Sequence, residues 1–380
     1  MQRTLATKKN RIWYLDIARV IAVISVSLNH AVNRSYSNYQ GTPEEWREFF
    51  TIPVWSNCIR CAVMIFSRLG VPLFLMISGT LLLSRKVETE QDVRKFYKRN
   101  LLPLVITAEI WTAIMYWYIV LVNPGNTILQ DKGITGAAWG MLWTLLCINP
   151  VRFGSMWYIP VIICLYLMIP LMAMVITKVG SAKPFLLPCI LIFYGFMLVP
   201  AINDWLILQD AELRVGTVFN IGEEGFLGML LYLLLGYIIG SGAFKKIPTW
   251  SLCAFFAASF AGSVWYQYYA LSMPCHVLVD YSYVTVLVCA AMLFEFLRRL
   301  DRQKPSSCKL LTWLSQYAFG FYFIHIMIME TIYWRVDMSG IDRVVRMLML
   351  EAVSMGGCFM VIVPLSKVPW LRRYLFMVKV

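Results

Sequence analysis

The sequence predicts an all-α protein, a polytopic bundle of transmembrane helices. Of its 380 residues, 59% are hydrophobic and only 14% are charged, whereas soluble globular chains average about 45–50% and about 25%. The apolar residues fall into runs of about 20, the length with which a helix crosses a bilayer. Because lipid cannot satisfy backbone polar groups, such runs are expected to be helical. Residues 1–380 are expected to form one integral-membrane domain.

About ten spans are predicted, separated by polar loops. They cover residues 12–33, 57–83, 100–122, 156–177, 184–201, 226–242, 251–271, 281–299, 310–333 and 345–365. A further apolar stretch, 137–148, is too short to cross a bilayer. We expect it to lie at the membrane interface or to re-enter the membrane.

Lysine and arginine assign the two sides of the membrane, since cytoplasmic loops carry an excess of both. Of the 34 such residues, 23 lie in one set of alternating segments and 8 in the other. The richer set comprises 1–11, 84–99, 178–183, 245–246, 298–309 and 367–379. Both termini are therefore predicted to be cytoplasmic, which requires an even number of spans.

The net charge of +13 does not indicate nucleic-acid binding, because the basic residues are concentrated in these short loops. Cys58 and Cys61 are one helical turn apart and have either a packing or a redox role. No other CxxC pair recurs, so no zinc site is expected. No cleavable signal peptide is expected, because the first apolar segment contains charged residues and no small-residue cleavage site.

The first span carries the charged residues Asp16 and Arg19 and the titratable His30. Arg19 and His30 are eleven residues apart, about three helical turns, so both lie on one face about 16 Å apart along the axis. Asp16 precedes Arg19 by three residues and can pair with it. Charged groups inside a membrane are functional candidates by default. The alternative is a structural ion pair and a hydrogen-bonded packing histidine.

Other polar and aromatic residues fall near span ends or at matching depth. His325 lies at a depth similar to that of His30, on predicted span 9. Trp157 marks an outer edge with Tyr166 deeper in the same span, and Lys98 and Arg99 lie at the inner end of span 3. Each has a plainer explanation: a satisfied core histidine, the interfacial aromatic belt, or positive-inside residues.

Five motifs, in this order along nearly the whole chain, resemble the integral-membrane acyltransferase 3 superfamily of bacteria. They are LDIAR with Arg19 and His30, GVPLFLMISG (70–79), FYKRNLLP (96–103), SMWYIPVIICLYLMIP (155–170) and FGFYFIHIMI (319–328). The likeness is to the stand-alone O-acetyltransferase branch, which includes the enzyme of the enterobacterial common antigen. A further hydrolase-like domain is not expected, since the chain ends shortly after the tenth span.

The resemblance implies transfer of an acetyl group from acetyl-CoA to a hydroxyl of a cell-surface or lipid-linked glycan, at the bacterial cytoplasmic (inner) membrane. His30 would act as general base or transient acyl carrier, because an imidazole titrates near neutral pH. Arg19, held by Asp16, would orient the donor. The expected donor-binding residues are Lys98, Arg99, Arg68 and Ser78. The expected acceptor-side residues are His325, Tyr322, Trp157 and Tyr166, and no metal is expected.

Three other functions fit the same topology. A transporter or flippase for a lipid-linked sugar would also need a polar cavity, although no strong internal repeat is present. A sensor or partner-binding membrane protein would keep the fold without the chemistry. An acyltransferase with a longer donor, such as succinyl-CoA, would differ in the length of its pocket.

Overall fold

The regular structure of the described residues is entirely helical. A computed structural model describes residues 12–36, 43–146, 154–216, 226–275, 277–301 and 309–378. The basic N-terminal segment 1–11 lies outside these residues. Within the described ranges no strand is present, which agrees with the predicted fold class.

Seventeen α-helices are assigned within the described residues. They are α1 (Trp13–Ser35), α2 (Pro43–Thr51), α3 (Val54–Ser67), α4 (Gly70–Leu82), α5 (Glu90–Phe96), α6 (Leu102–Val122), α7 (Ile128–Leu145), α8 (Tyr158–Val179), α9 (Leu186–Phe193), α10 (Val199–Leu208), α11 (Phe226–Gly240), α12 (Thr249–Leu271), α13 (Val284–Leu300), α14 (Lys309–Gln316), α15 (Ala318–Arg335), α16 (Arg343–Leu365) and α17 (Pro369–Tyr374).

Six helical segments of the described residues are long and apolar enough to cross a membrane. They are Trp13–Ser35, Val54–Leu82, Glu90–Val122, Tyr158–Val179, Lys183–Leu208 and Arg343–Leu365. The other four predicted spans are also helical, as α11, α12, α13 and α15. Among them, α11 has only 15 residues and α13 only 17. The prediction of about ten crossings and of cytoplasmic termini stays a prediction.

Two of the long segments contain a π-helical turn directly before a proline. Tyr97–Leu101 leads to Pro103, and Tyr194–Leu198 leads to Pro200. Proline has no backbone N–H, so the carbonyl four residues earlier loses its α-helical partner. A local π turn accommodates this loss without ending the helix.

Helix α1 lies at the centre of the bundle, in contact with α3, α4, α13, α14, α15 and α16. Ala18 and Ala22 are fully buried, and such small side chains let neighbouring helices approach closely. At Gly70 of α4, a Cβ atom would lie 2.9 Å from the Ala22 carbonyl oxygen. The two helix backbones therefore meet at this point, and α1 is surrounded on most sides by protein.

Helices α4 and α11 pack backbone against backbone. A Cβ atom on Gly79 would lie 1.8 Å from the Leu233 carbonyl oxygen, and one on Gly236 would lie 2.2 Å from the Met76 carbonyl oxygen. The Thr80 hydroxyl donates a hydrogen bond of 2.7 Å to the Gly236 carbonyl. Small residues and such a hydrogen bond are what holds helices together in lipid.

Replacing Gly79 with valine is expected to force α4 and α11 apart, because the added side chain meets backbone that cannot move independently. Overpacking of this kind costs at least about 1–3 kcal/mol. Size-exclusion profiles and thermal midpoints in detergent measure the loss of folded protein. Gly262→Val on α12 is the matched control, since nothing lies within 4 Å of that position. Equal stability of the two variants would contradict the close packing.

Candidate functional site

A cavity of about 1130 Å³ lies near the N-terminal end of α1. Arg19 and Asp16 line it from α1, Ser78 from α4, Tyr166 from α8, and Arg85 from the loop after α4. We call it the Arg19 cavity. Its volume and mixed polar and apolar lining are typical of a small-molecule site.

Asp16 holds Arg19 at the wall of this cavity. The Asp16 Oδ1 atom accepts a hydrogen bond of 3.1 Å from Arg19 Nη1 and one of 2.6 Å from the Ser315 hydroxyl. Asp16 is 2% exposed, whereas 26% of the Arg19 side chain is accessible. The buried carboxylate therefore fixes the orientation of a cation that still faces the cavity.

A second cavity, of about 520 Å³, lies near the C-terminal end of α1. It is lined by His30 and Asn29 of α1, by Arg68, by Trp157 and by Glu330 of α15, among others. We call it the His30 cavity. Arg19, near the start of α1, thus lines one cavity, and His30, about three turns later, lines the other.

His30 and His325 form a pair at this second cavity, with ring centroids 5.4 Å apart. His325 Nδ1 lies 2.7 Å from the Phe321 carbonyl oxygen. Because a carbonyl only accepts, we assign the hydrogen to Nδ1 and the lone pair to Nε2. Nε2 is buried without a partner among the described residues. His325 is 1% exposed, so His30, which lines the cavity, is the histidine that a ligand reaches first.

Arg68 lies in the His30 cavity, at the junction between α3 and α4. Its Nη1 donates to Asn29 Oδ1 at 3.1 Å, and its Nε donates to the Val279 carbonyl at 3.0 Å. Its guanidinium carbon is 5.5 Å from the Tyr281 ring centroid. These contacts hold the Arg68 guanidinium beside Asn29, the residue directly before His30.

Arg34 and Glu330 form an ion pair in the lining of the His30 cavity, with Arg34 Nη2 2.6 Å from Glu330 Oε1. Glu330 is 1% exposed, and 32% of the Arg34 side chain is accessible. Arg34 also lines a third cavity of about 610 Å³, together with Tyr36, Arg343 and Arg346. Burial raises the pKa of Tyr36, an effect that its hydrogen bond to Ser56 partly offsets.

Tyr158 and Tyr322 line both the Arg19 cavity and the His30 cavity, so the two linings adjoin at these residues. Their ring centroids are 6.0 Å apart. Tyr158 begins α8, and Tyr322 lies one turn before His325 on α15.

Most of the predicted site residues line one of the two cavities. Two of them, Arg68 and Tyr166, do not line the same cavity as all of the residues with which they were grouped. Arg68, predicted with the donor residues, lies in the His30 cavity, because α3 and α4 run antiparallel to α1 and bring Arg68 beside Asn29. Tyr166, predicted with the acceptor residues, lies in the Arg19 cavity. It is eight residues beyond Tyr158, about 12 Å along the axis of α8. The roles assigned to both residues stay predictions.

Lys98 and Arg99 are exposed and line neither cavity. They belong to the π-helical turn before α6. The neighbouring Asn100 accepts a hydrogen bond of 3.2 Å from Arg85, and Arg85 lines the Arg19 cavity. Besides Arg19, the arginine that lines the Arg19 cavity is therefore Arg85, which the sequence marked only as a basic loop residue.

Sequence analysis also missed Ser315, Glu330 and Tyr158 as site residues. Ser315 meets Asp16 across 299 positions of the chain, and no local signal marks such a contact. Glu330 could have been predicted from the sequence, because a carboxylate inside an apolar run is costly unless it is paired. Tyr158 is adjacent to Trp157, which the outer-edge motif did single out.

The cysteines and possible metal ligands offer no further site in the described part of the chain. Cys58 is exposed, Cys61 is buried, and both are free thiols. No group of three or more His, Cys, Asp or Glu side chains is arranged to hold a metal ion within the described ranges.

Comparison with known proteins gives one match. The profile of a family described as an acyltransferase domain, the acyltransferase 3 family, matches residues 12–366. No curated protein and no solved structure matches the chain.

Replacing Arg34 with alanine is expected to destabilise the bundle, because it leaves the buried Glu330 carboxylate without its cation. Breaking a buried pair from one side costs up to about 3 kcal/mol, and less here because Arg34 is partly accessible. The double variant Arg34→Ala/Glu330→Gln should recover part of the loss. Thermal midpoints in detergent measure both. A double variant no more stable than Arg34→Ala would contradict this role of the pair.

Proposed function

We propose that this chain, which belongs to the acyltransferase 3 family, moves an acetyl group from acetyl-CoA to a hydroxyl of a cell-surface or lipid-linked glycan. The family and the apolar helices support membrane acyltransferase activity. The donor, the acceptor, the stand-alone O-acetyltransferase branch and the bacterial cytoplasmic (inner) membrane are parts of the proposal. The glycan and membrane lipid would be its partners, with no nucleic acid.

The observation that carries the proposal is the pair of cavities whose linings share Tyr158 and Tyr322. One contains a fixed arginine and the other an accessible histidine. Transfer between two substrates that arrive separately needs two such sites and a single point at which they meet. A long, thin donor in the Arg19 cavity and a hydroxyl donor in the His30 cavity satisfy this requirement.

The Arg19 cavity suits acetyl-CoA as donor. Arginine forms strong, charge-assisted hydrogen bonds with phosphate, and Arg85 and Arg19 both line the cavity. Lys98 and Arg99 are exposed near Asn100, which contacts Arg85. We assign them to the part of the nucleotide that remains outside the cavity, and we assign Arg19 and Ser78 to the pantetheine end.

At the His30 cavity, His30 takes the proton from the acceptor hydroxyl as the oxygen attacks the thioester carbon. A C–O bond forms and the C–S bond breaks. His30 then returns the proton to the departing thiolate of CoA, so the products are the acetyl ester and free CoA. If His30 instead carries the acetyl group, a C–N bond to its ring forms as the C–S bond breaks, and the ring proton passes to the CoA thiolate. The acceptor oxygen then forms the C–O bond as the C–N bond breaks, and the hydroxyl proton returns to the ring.

His325 supports His30 in this scheme, because its ring lies beside that of His30 and is itself shielded from the cavity. Trp157 and Tyr322 line the space in which the acceptor would bind. Aromatic rings that border a polar cavity suit the apolar faces of a sugar. Asn29 and Asn33 also line this cavity and can hydrogen-bond to hydroxyl groups.

His30→Ala is expected to abolish acetyl transfer while the protein still folds, because the base is lost and the cavity is retained. Membranes with the variant are incubated with acetyl-CoA labelled in the acetyl group, and label in the glycan and lipid fractions is counted. Ile24→Ala, on the exposed face of the same helix, is the control and should keep full activity. Full activity in His30→Ala would contradict the proposal.

The same experiment distinguishes the competing functions. A flippase or a sensor transfers no label from wild-type membranes. An acyltransferase for a longer donor transfers label from succinyl-CoA in preference to acetyl-CoA.

Arg85→Ala is expected to raise the KM for acetyl-CoA about tenfold, with a smaller change in kcat, because a charge-assisted contact of about 1.5 kcal/mol or more is lost. Initial rates at varied donor concentration measure both constants. Lys86→Ala removes the same charge from the next residue, which is exposed and lines neither cavity. If both variants raise KM equally, Arg85 has no specific role and only general surface charge attracts the donor.

A further inference from the structure

We propose that Tyr158 is a further catalytic residue, whose hydroxyl donates a hydrogen bond to the carbonyl oxygen of the acyl group during transfer. The proposal rests on the proposed function and adds to it the group that stabilises the negative charge formed on that oxygen. It follows from the position of Tyr158 in the lining of both cavities and from its buried hydroxyl, which has no hydrogen-bond partner among the described residues.

The Tyr158 hydroxyl is buried and has no hydrogen-bond partner among the described residues, and the residue as a whole is 6% exposed. Buried hydroxyl groups are normally paired, so each exception requires an explanation. Two other tyrosines of this protein follow the rule. The Tyr232 hydroxyl donates to the Tyr281 carbonyl at 2.6 Å, and that of Tyr118 donates to the Met327 carbonyl at 2.6 Å. A bound ligand that supplies an acceptor atom would satisfy Tyr158.

The position of Tyr158 indicates which atom that is. Tyr158 lines both the Arg19 cavity and the His30 cavity. A donor held in the first cavity and attacked from the second must place its reactive carbonyl at the boundary between them. Tyr158 and Tyr322 form this boundary, with ring centroids 6.0 Å apart. At this point, the atom of acetyl-CoA that can accept a hydrogen bond is the carbonyl oxygen of its acetyl group.

The bond changes define what Tyr158 stabilises. When the acceptor oxygen bonds to the carbonyl carbon and His30 takes its proton, the carbonyl electron pair moves to oxygen. The Tyr158 O–H donates to this oxyanion but keeps its proton. When the C–S bond breaks, the electron pair returns to re-form the carbonyl and His30 protonates the thiolate. Such donors stabilise the transition state more than the ground state, and removing one typically lowers kcat by about 10²–10³-fold.

Tyr158→Phe tests this role, because it removes the hydroxyl and keeps the ring between the cavities. We expect kcat for transfer from labelled acetyl-CoA to fall about 100-fold or more, with the KM for acetyl-CoA changed less than about threefold. Binding of CoA to the purified variant, measured by calorimetry, should match that of the wild type. Tyr266→Phe is the control, since it also removes a buried tyrosine hydroxyl and Tyr266 lines neither cavity.

Tyr158→Ala separates catalysis from a purely structural wall. If the ring only divides the cavities, Tyr158→Phe keeps wild-type kcat and Tyr158→Ala alone is impaired, which overturns the proposal. Retention of more than a third of kcat in Tyr158→Phe, while the wild type transfers label, overturns it and leaves the proposed function standing. Absence of label transfer by the wild type overturns the proposed function and, with it, this inference.

Discussion

The polar stripe of α1 has to be satisfied inside an apolar bundle, and the arrangement around it depends on this constraint. Charged groups in lipid are tolerated only when they are paired or face a polar cavity. Asp16 is paired with Arg19 and Ser315, and Arg19 faces one cavity. His30 faces the other, beside His325. Helix α1 contacts six other helices, and a cavity lies at each of its polar ends.

In the proposed function, the two cavities give each polar end of α1 a separate task. A continuous channel would let water reach a thioester and hydrolyse it. The two aromatic residues shared by the cavity linings would limit this while the proposed donor and acceptor meet beside them. Exclusion of water also strengthens the electrostatic interactions that stabilise the transition state. The proposed roles of Arg19, Tyr158 and His30 follow this order from one cavity to the other.

Sequence reasoning reached the helices and the α1 stripe, because both depend on local periodicity. The predicted segment 12–33 corresponds to Trp13–Ser35 and 345–365 to Arg343–Leu365. It did not reach Ser315 or the boundary role of Tyr158, because contacts between helices depend on how the helices pack. Nor did it reach which cavity Arg68 and Tyr166 line, because that depends on where their helices start and cross α1.

The most direct test of the account is the structure of the protein bound to a non-reactive acetyl-CoA analogue in which the thioester sulfur is replaced by a methylene group. Electron cryomicroscopy of the complex in a lipid nanodisc would locate the analogue. The account predicts the pantetheine arm in the Arg19 cavity and the acetyl carbonyl at Tyr158, with His30 on the far side. An analogue bound in the His30 cavity, or with its acetyl group away from the Tyr158–Tyr322 boundary, would contradict it.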